Sequence, residues 1–386
     1  TVNPGAGGTI RLAADFDGAN SGNINFDRAV VLEGDSTIGG PGGMGGSVTF
    51  ADTIDGAFDL SVSTGAEGIF LQGDVGTGAA LASLTLDSGD GVELANIGAA
   101  DSPGVTGAVD VDAAADITYN GTEYASGSAN YNAAGQHSVV SGDTTFATSG
   151  GALTFAGGNM VLTDGSDLTA TSGGGMITTT AIRGASDENV TINAGAGQAN
   201  LAAIGMDDEI GDISITANQL QLTGNIVGNT FTLLTGTAGR GIELAGDGTT
   251  PGALLLSRAE FARLQDGFTS ITIGRDDGIG AILVGGDNGG PLDFSDPLTL
   301  RSQGNGGSVS VLEGMSGSGD ASLMLLGTNG FVGLSGPITT AGGDVTIEGA
   351  ATLLGDTSIE TSGGNVAFLS DGTINSPGTA FALDID

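Results

Sequence analysis

One short pattern recurs along the chain at a spacing that few folds accommodate. Asp167-Leu168-Thr169-Ala170-Thr171, Asn189-Val190-Thr191-Ile192-Asn193 and Asp212-Ile213-Ser214-Ile215-Thr216 start 22 and 23 residues apart. Each is apolar at every second position and is followed within two residues by Gly, Asn or Ser. Such alternation marks a strand with one buried face. Upstream, Leu60, Val62 and Leu71 return as Leu84, Leu86 and Leu94 after 24, 24 and 23 residues. Ser47–Phe50, Ala152–Phe155, Thr269–Ile273, Ser308–Val311 and Asp344–Ile347 read as strands of the same kind. A period of roughly 22 residues holding two or three short strands is the size of one coil of a parallel β-helix.

In that fold each strand lies on its counterpart in the previous coil. Like side chains then stack inside, and Thr, Ser, Asn and Asp face outward. The chain therefore predicts an all-β, parallel β-helix (β-solenoid) of ~17 coils, ~80 Å long at ~4.8 Å per coil. Val48, Leu60, Leu84, Ile192, Ile213, Ile273 and Val309 should point inward. The 74 glycines suit corners that turn with positive φ better than they suit flexible linkers. A row of β-sandwiches would need hairpin signals at domain spacing. The Asn-Gly pairs at Asn120, Asn305 and Asn329 are not regularly spaced.

One segment departs from the pattern. Leu256-Ser257-Arg258-Ala259-Glu260-Phe261-Ala262-Arg263-Leu264-Gln265-Asp266-Gly267 predicts a short α-helix near 257–266, lateral to the rod. Ser257 and Glu260 form a capping box, Leu256 and Phe261 occupy staple positions, and Gly267 supplies the stop. Its apolar side either packs on its own rod or, with Arg258, Phe261, Arg263 and Arg275, makes a docking point for a neighbouring rod.

A longer repeat overlies the short one. Residues 22–60 resemble 343–383: Gly34-Asp35-Ser36-Thr37-Ile38 returns as Gly355-Asp356-Thr357-Ser358-Ile359, Gly46-Ser47-Val48-Thr49-Phe50 as Gly364-Asn365-Val366-Ala367-Phe368, and Ala57-Phe58-Asp59-Leu60 as Ala380-Phe381-Ala382-Leu383. The offsets are 321, 318 and 323. The expectation is one continuous rod over 1–386, a super-repeat of ~320 residues plus its overlap into the next, cut from a longer tandem array.

Charge narrows the partners. The chain carries 8 basic and 45 acidic residues, for a net charge of −37, and every basic residue is Arg. Nucleic acid and anionic membrane surfaces would be repelled. Without Lys there is no P-loop and no Schiff-base enzyme. Without Cys there are no disulfides or thiolate metal sites. No apolar run reaches membrane-spanning length, so no membrane insertion is expected in this segment.

Few residues offer chemistry. The single histidine, His137, has Ser138, Ser141 and Asp143 nearby but sits among Gly, Ser and Asn, as surface histidines do. Asp110 and Asp112, with Asp116, are the best carboxylate grouping, yet no Arg lies close in sequence. No catalytic residue is assigned and no cofactor is required. Acidic turns offer weak Ca²⁺ candidates at Asp15 and Asp17, Asp87 and Asp90, Asp207 and Asp208, and Asp276 and Asp277, although none completes an EF-hand. Gly40-Pro41-Gly42-Gly43-Met44-Gly45 matches a dinucleotide fingerprint formally but precedes a strand rather than a helix. Tyr119, Tyr124 and Tyr131, beside Asn120, Asn130 and Asn132, form a candidate ligand face for sugar or protein.

Asp55-Gly56-Ala57-Phe58-Asp59-Leu60-Ser61-Val62, Gly73-Asp74-Val75-Gly76 and Leu81-Ala82-Ser83-Leu84-Thr85-Leu86 resemble repeats of very large bacterial exoproteins of the filamentous-haemagglutinin type. So does the helix segment followed by Phe268-Thr269-Ser270-Ile271-Thr272-Ile273-Gly274-Arg275. The resemblance covers most of the chain through degenerate motifs. It implies a non-enzymatic, extracellular or surface-held, right-handed parallel β-helix that serves adhesion, cell–cell contact or matrix and sheath building. Its partners would be further copies of itself, surface glycans or neighbouring cells. The alternatives are a β-helical polysaccharide lyase or hydrolase, and a sugar-binding adhesin module that uses the Tyr119–Tyr131 region.

Overall fold

The computed structural model describes residues 7–16, 22–40, 42–206, 210–369, 373–378 and 380–386. The chain is nearly all β, 51% strand and 1% helix, wound as a parallel β-solenoid of about 16 turns. It divides into two compact units, Thr1–Ala194 with Asn200–Glu209, and Gly195–Ala199 with Ile210–Asp386.

In the first unit, one face is an eight-stranded parallel sheet: Ile24–Phe26, Val48–Phe50, Ile69–Leu71, Val92–Leu94, Ile117–Tyr119, His137–Val139, Met160–Leu162 and Ile182–Arg183. Pairing in strict register builds two interior columns. One runs Phe26, Phe50, Leu71, Leu94, Tyr119, Val139, Leu162. The other runs Ile24, Val48, Ile69, Val92, Ile117, His137, Met160. The middle residue of each triplet faces outward. A second face stacks Ser36–Ile38, Asp59–Thr64, Ser83–Ser88, Val105–Ala113 and Glu123–Ala133 in the same parallel sense.

The second unit repeats the scheme, with the interior column Ile213, Phe231, Ile271, Leu298, Leu323, Val345, Val366. All seven residues expected to point inward are no more than 1% exposed. Burying each such side chain stabilises by roughly 1.5–3 kcal/mol, and stacking in register repeats that gain at every coil.

Two local devices recur along the coils. The first is a buried hydroxyl at a strand end that donates to the carbonyl three residues on: Thr148 to Gly151 at 2.6 Å, Ser172 to Gly175 at 2.6 Å and Thr361 to Gly364 at 2.7 Å. The glycine inside each of these turns (Gly150, Gly174, Gly363) has φ between 103° and 117°, a conformation that L side chains rarely adopt.

The second device is a carboxylate that accepts from a backbone N–H one coil further on. Asp15 accepts from Thr37, Asp35 from Asp59, Asp55 from Gly78, Asp116 from Gln136, Asp167 from Asn189, Asp344 from Asn365 and Asp356 from Ala382, at 2.7–3.1 Å. Charge-assisted bonds of this kind are about twice as strong as neutral ones. These seven carboxylates thus staple one coil to the next.

The helix is shorter than the sequence predicts. Only Arg258–Phe261 is helical, although the capping box forms as expected, with Ser257 N–H donating to Glu260 Oε2 at 3.0 Å. Leu264 instead joins a parallel bridge to Ile226, and pairing with a neighbouring coil ends the helix after one turn. Among the described residues, no helix is long and apolar enough to cross a membrane.

Candidate functional site

The chemically distinctive residues gather in three places. In the first unit, Tyr119, Tyr124 and Tyr131 are no more than 2% exposed. They meet Phe146 at ring-centroid distances of 4.9, 4.8 and 5.7 Å, and Phe155 closes the cluster 4.9 Å from Phe146. The expected ligand face therefore does not exist. Alternation turns Tyr131 inward, whereas Asn130 and Asn132 face out and donate to Asp110 and Asp112 at 2.8 and 3.0 Å. Those two carboxylates face Asn in the next coil.

His137 is also interior, against the expectation of a surface residue, because it occupies a column position held elsewhere by Ile, Val and Met. Its Nε2 lies 2.9 Å from the carbonyl of Ala156 and its Nδ1 lies 2.9 Å from the hydroxyl of Tyr119. A carbonyl only accepts, so Nε2 carries the proton and Nδ1 accepts from Tyr119. Burial lowers the His137 pKa, against the contrary pull of the Ala156 bond, and it raises those of Tyr119 and Tyr131. The imidazole is neutral and structural.

In the second unit, the expected docking residues are engaged within the chain. Phe261 is buried. Arg258 makes a bidentate pair with Asp287, at 3.0 and 2.9 Å, and donates to the carbonyls of Pro291 and Gly290. The guanidinium and the Gly289 N–H hold the Asp287 pKa down to about 2. Arg275 pairs with Asp277 and donates to Thr235 O. Arg263 is half-buried. The exposed docking patch centred on Phe261 is not formed.

Asp266, Asp296 and Asp320 bring carboxylate oxygens within 4.8 Å of one another, the one such grouping among the described residues. Asp296 is buried and accepts from Gly267 N–H at 2.8 Å. Its pKa is raised, chiefly by burial and further by Asp266 and Asp320. A cavity of about 230 Å³ adjoins it, lined also by Phe261, Leu264, Ile271, Asp293 and Phe294. Three carboxylates at this spacing are the donor set a hard cation takes. The sequence reading missed this group because its members lie 30 and 24 residues apart, a separation that only the coil period brings together.

Of the acidic turns read as calcium candidates, Asp15 accepts from Thr37, Asp87 from Ser63, Asp276 pairs with Arg301 and Asp277 with Arg275. Asp90 lies on the rim of a surface hollow with Asp116. Asp17, Asp207 and Asp208 lie outside the described residues. No family model matches the chain, and no curated protein or solved structure matches it at a significant level.

Proposed function

We propose that the chain is a structural repeat segment of a long extracellular fibre, held at a bacterial cell surface and serving adhesion, cell–cell contact or matrix and sheath formation. One observation carries this reading: the long repeat is duplicated in its pairing as well as in its residues. In the first copy, Ile24 pairs with Val48, Val30 with Ile54 and Ser36 with Leu60. In the second, Val345 pairs with Val366, Ala351 with Ile374 and Thr357 with Leu383, the equivalent positions on all three strands of the coil.

Side-chain bonds repeat too. Asp35 accepting from Asp59 N–H matches Asp356 accepting from Ala382, and Ser36 donating to Gly34 O matches Thr357 donating to Gly355 O. A unit that recurs in structural phase is suited to array building. The exoprotein-like motifs agree with that reading. Displayed on a non-adherent bacterium, the chain is expected to confer clumping or surface attachment, with no release of reducing ends from polysaccharides by the soluble protein. Sugar release without clumping would refute the proposal.

The polysaccharide-acting alternative has one observation in its favour, the Asp266–Asp296–Asp320 group beside its cavity. Sugar release abolished by Asp296→Asn would establish it.

A further inference from the structure

Among the described residues, nothing covers the inward face of the coil formed by 366–385. Val366, Phe368, Ile374, Leu383 and Ile385 stand in register on Val345, Ile347, Ala351, Thr357 and Ile359, all of them buried. They continue five interior columns, yet Ile374 is 42% and Ile385 47% exposed, and the other three are half-buried. Their strands, Val366–Leu369, Ile374–Asn375 and Leu383–Ile385, pair on one side only among the described residues.

The first copy of the repeat shows what such a face receives. The equivalent residues Val48, Phe50, Ile54, Leu60 and Val62 are no more than 1% exposed. They are covered in register by Ile69, Leu71, Val75, Leu84 and Leu86 of the next coil. Backbone bonds seal that junction: Ile54 N–H donates to Asp74 O at 3.0 Å and Gly76 N–H donates to Ile54 O at 2.7 Å.

We infer that the open face formed by Val366, Phe368, Ile374, Leu383 and Ile385 is an interface for a further copy of this same repeat. The copy enters at its Thr64 and lays its Ile69–Leu86 coil on the face in the register that this coil holds on Val48–Val62. Ile385 stands where Val62 stands and Asp386 where Ser63 stands, so the in-phase continuation begins at Thr64. The columns then extend without a step, and the unpaired strand edge is removed. The inference deepens the array reading above and rests on it, since it specifies the phase at which copies join.

The chain contains no Cys, so one introduced thiol reports on one position. Ile374→Cys would be placed in the single copy, in a fusion of residues 1–386 to 64–386, and in a control fusion of 1–386 to 75–386 that enters about half a coil late. Maleimide labelling of folded protein is expected to slow by about 100-fold or more in the in-phase fusion, the protection of a locally closed site. It should stay at the single-copy rate in the control. Tyrosine emission from the buried cluster, present once per copy, reports whether each copy has folded. Unchanged labelling in the in-phase fusion, equal protection in both fusions, or a second copy that fails to fold in phase would each overturn the inference. Sugar release by the single copy would instead overturn the structural reading and leave the labelling result intact.

Discussion

The buried His137–Tyr119 pair makes one part of the solenoid acid-sensitive in a calculable way. The unfolded chain binds the imidazole proton near pH 6.5, whereas burial lowers that pKa in the folded state. The sign follows from linkage: the unfolded state binds more protons between the two values, so stability is full above pH 6.5 and declines as pH falls toward the folded pKa. For one proton the slope cannot exceed about 1.4 kcal/mol per pH unit. Below the folded pKa the decline from this group stops.

His137→Phe keeps an aromatic ring on the column but strands the Tyr119 hydroxyl and the Ala156 carbonyl, each at about 1–3 kcal/mol when buried. The variant should therefore be less stable than the parent at pH 8, and the two stabilities should converge as pH falls below 6.5. Tyr119→Phe removes the donor that favours the neutral imidazole, so its stability should fall less steeply with acid than that of the parent. The chain has no Trp, and its 3 tyrosines all lie in this cluster, so urea titration followed by tyrosine emission reports this region of the first unit alone. A difference between parent and His137→Phe that stays constant from pH 8 to pH 5 would refute the argument, because His137 would then titrate alike in both states.

Phe146→Ala, at the centre of the same cluster, should cost about 3–5 kcal/mol by the same emission assay. Gly76→Ala places a Cβ 1.9 Å from Gly104 O at φ 70°, whereas Gly165→Ala, at φ 74°, meets nothing within 4 Å. The second should cost only the left-handed penalty of about 1–2 kcal/mol, and the first distinctly more, in denaturant midpoints. Asp87 lies directly opposite Asp112 on an outward column, so Asp87→Asn should stabilise by about 0.2–1 kcal/mol, most visibly at low salt. Asp296 has a raised pKa, so its stability contribution is better at acid pH and worsens as pH rises; Asp296→Asn should raise the thermal midpoint at neutral pH. A midpoint rise with micromolar Ca²⁺ that Asp296→Asn abolishes would identify the Asp266–Asp296–Asp320 group as a cation site.

The alternation that placed Leu84, Ile213 and Val309 inside was legible because a strand has one period and the coil spacing repeats it. The same rule, followed through Tyr131, would have turned that ring inward between Asn130 and Asn132; the Tyr-with-Asn composition obscured it. His137-Ser138-Val139 aligns with Ile117-Thr118-Tyr119 a coil before and Met160-Val161-Leu162 a coil after, and only that alignment shows the histidine to be interior. The capping box at Ser257 was readable because it is local. The end of the helix was not, because Leu264 answers to Ile226, 38 residues upstream. Asp266, Asp296 and Asp320 were hidden for the same reason.

The acidity of the chain takes its meaning from that coil-to-coil register. A carboxylate that accepts an amide from the following coil is held by the fold, and its charge is offset by a dipole that exists only while the next coil is in place. In the first copy, Asp55 accepts from both Gly78 and Ala79 in the coil above. Asp59 accepts from the Ser83 hydroxyl at 2.7 Å. In the last coil the position equivalent to Asp59 is Ala382, which offers no carboxylate, while the apolar column beneath it continues. The copies thus share the Asp35 and Asp356 staples, differ at Asp59 and Ala382, and agree in inward residues. That division is the one expected if the interior columns set how one coil receives another, and the outward carboxylates only tune how firmly it is held.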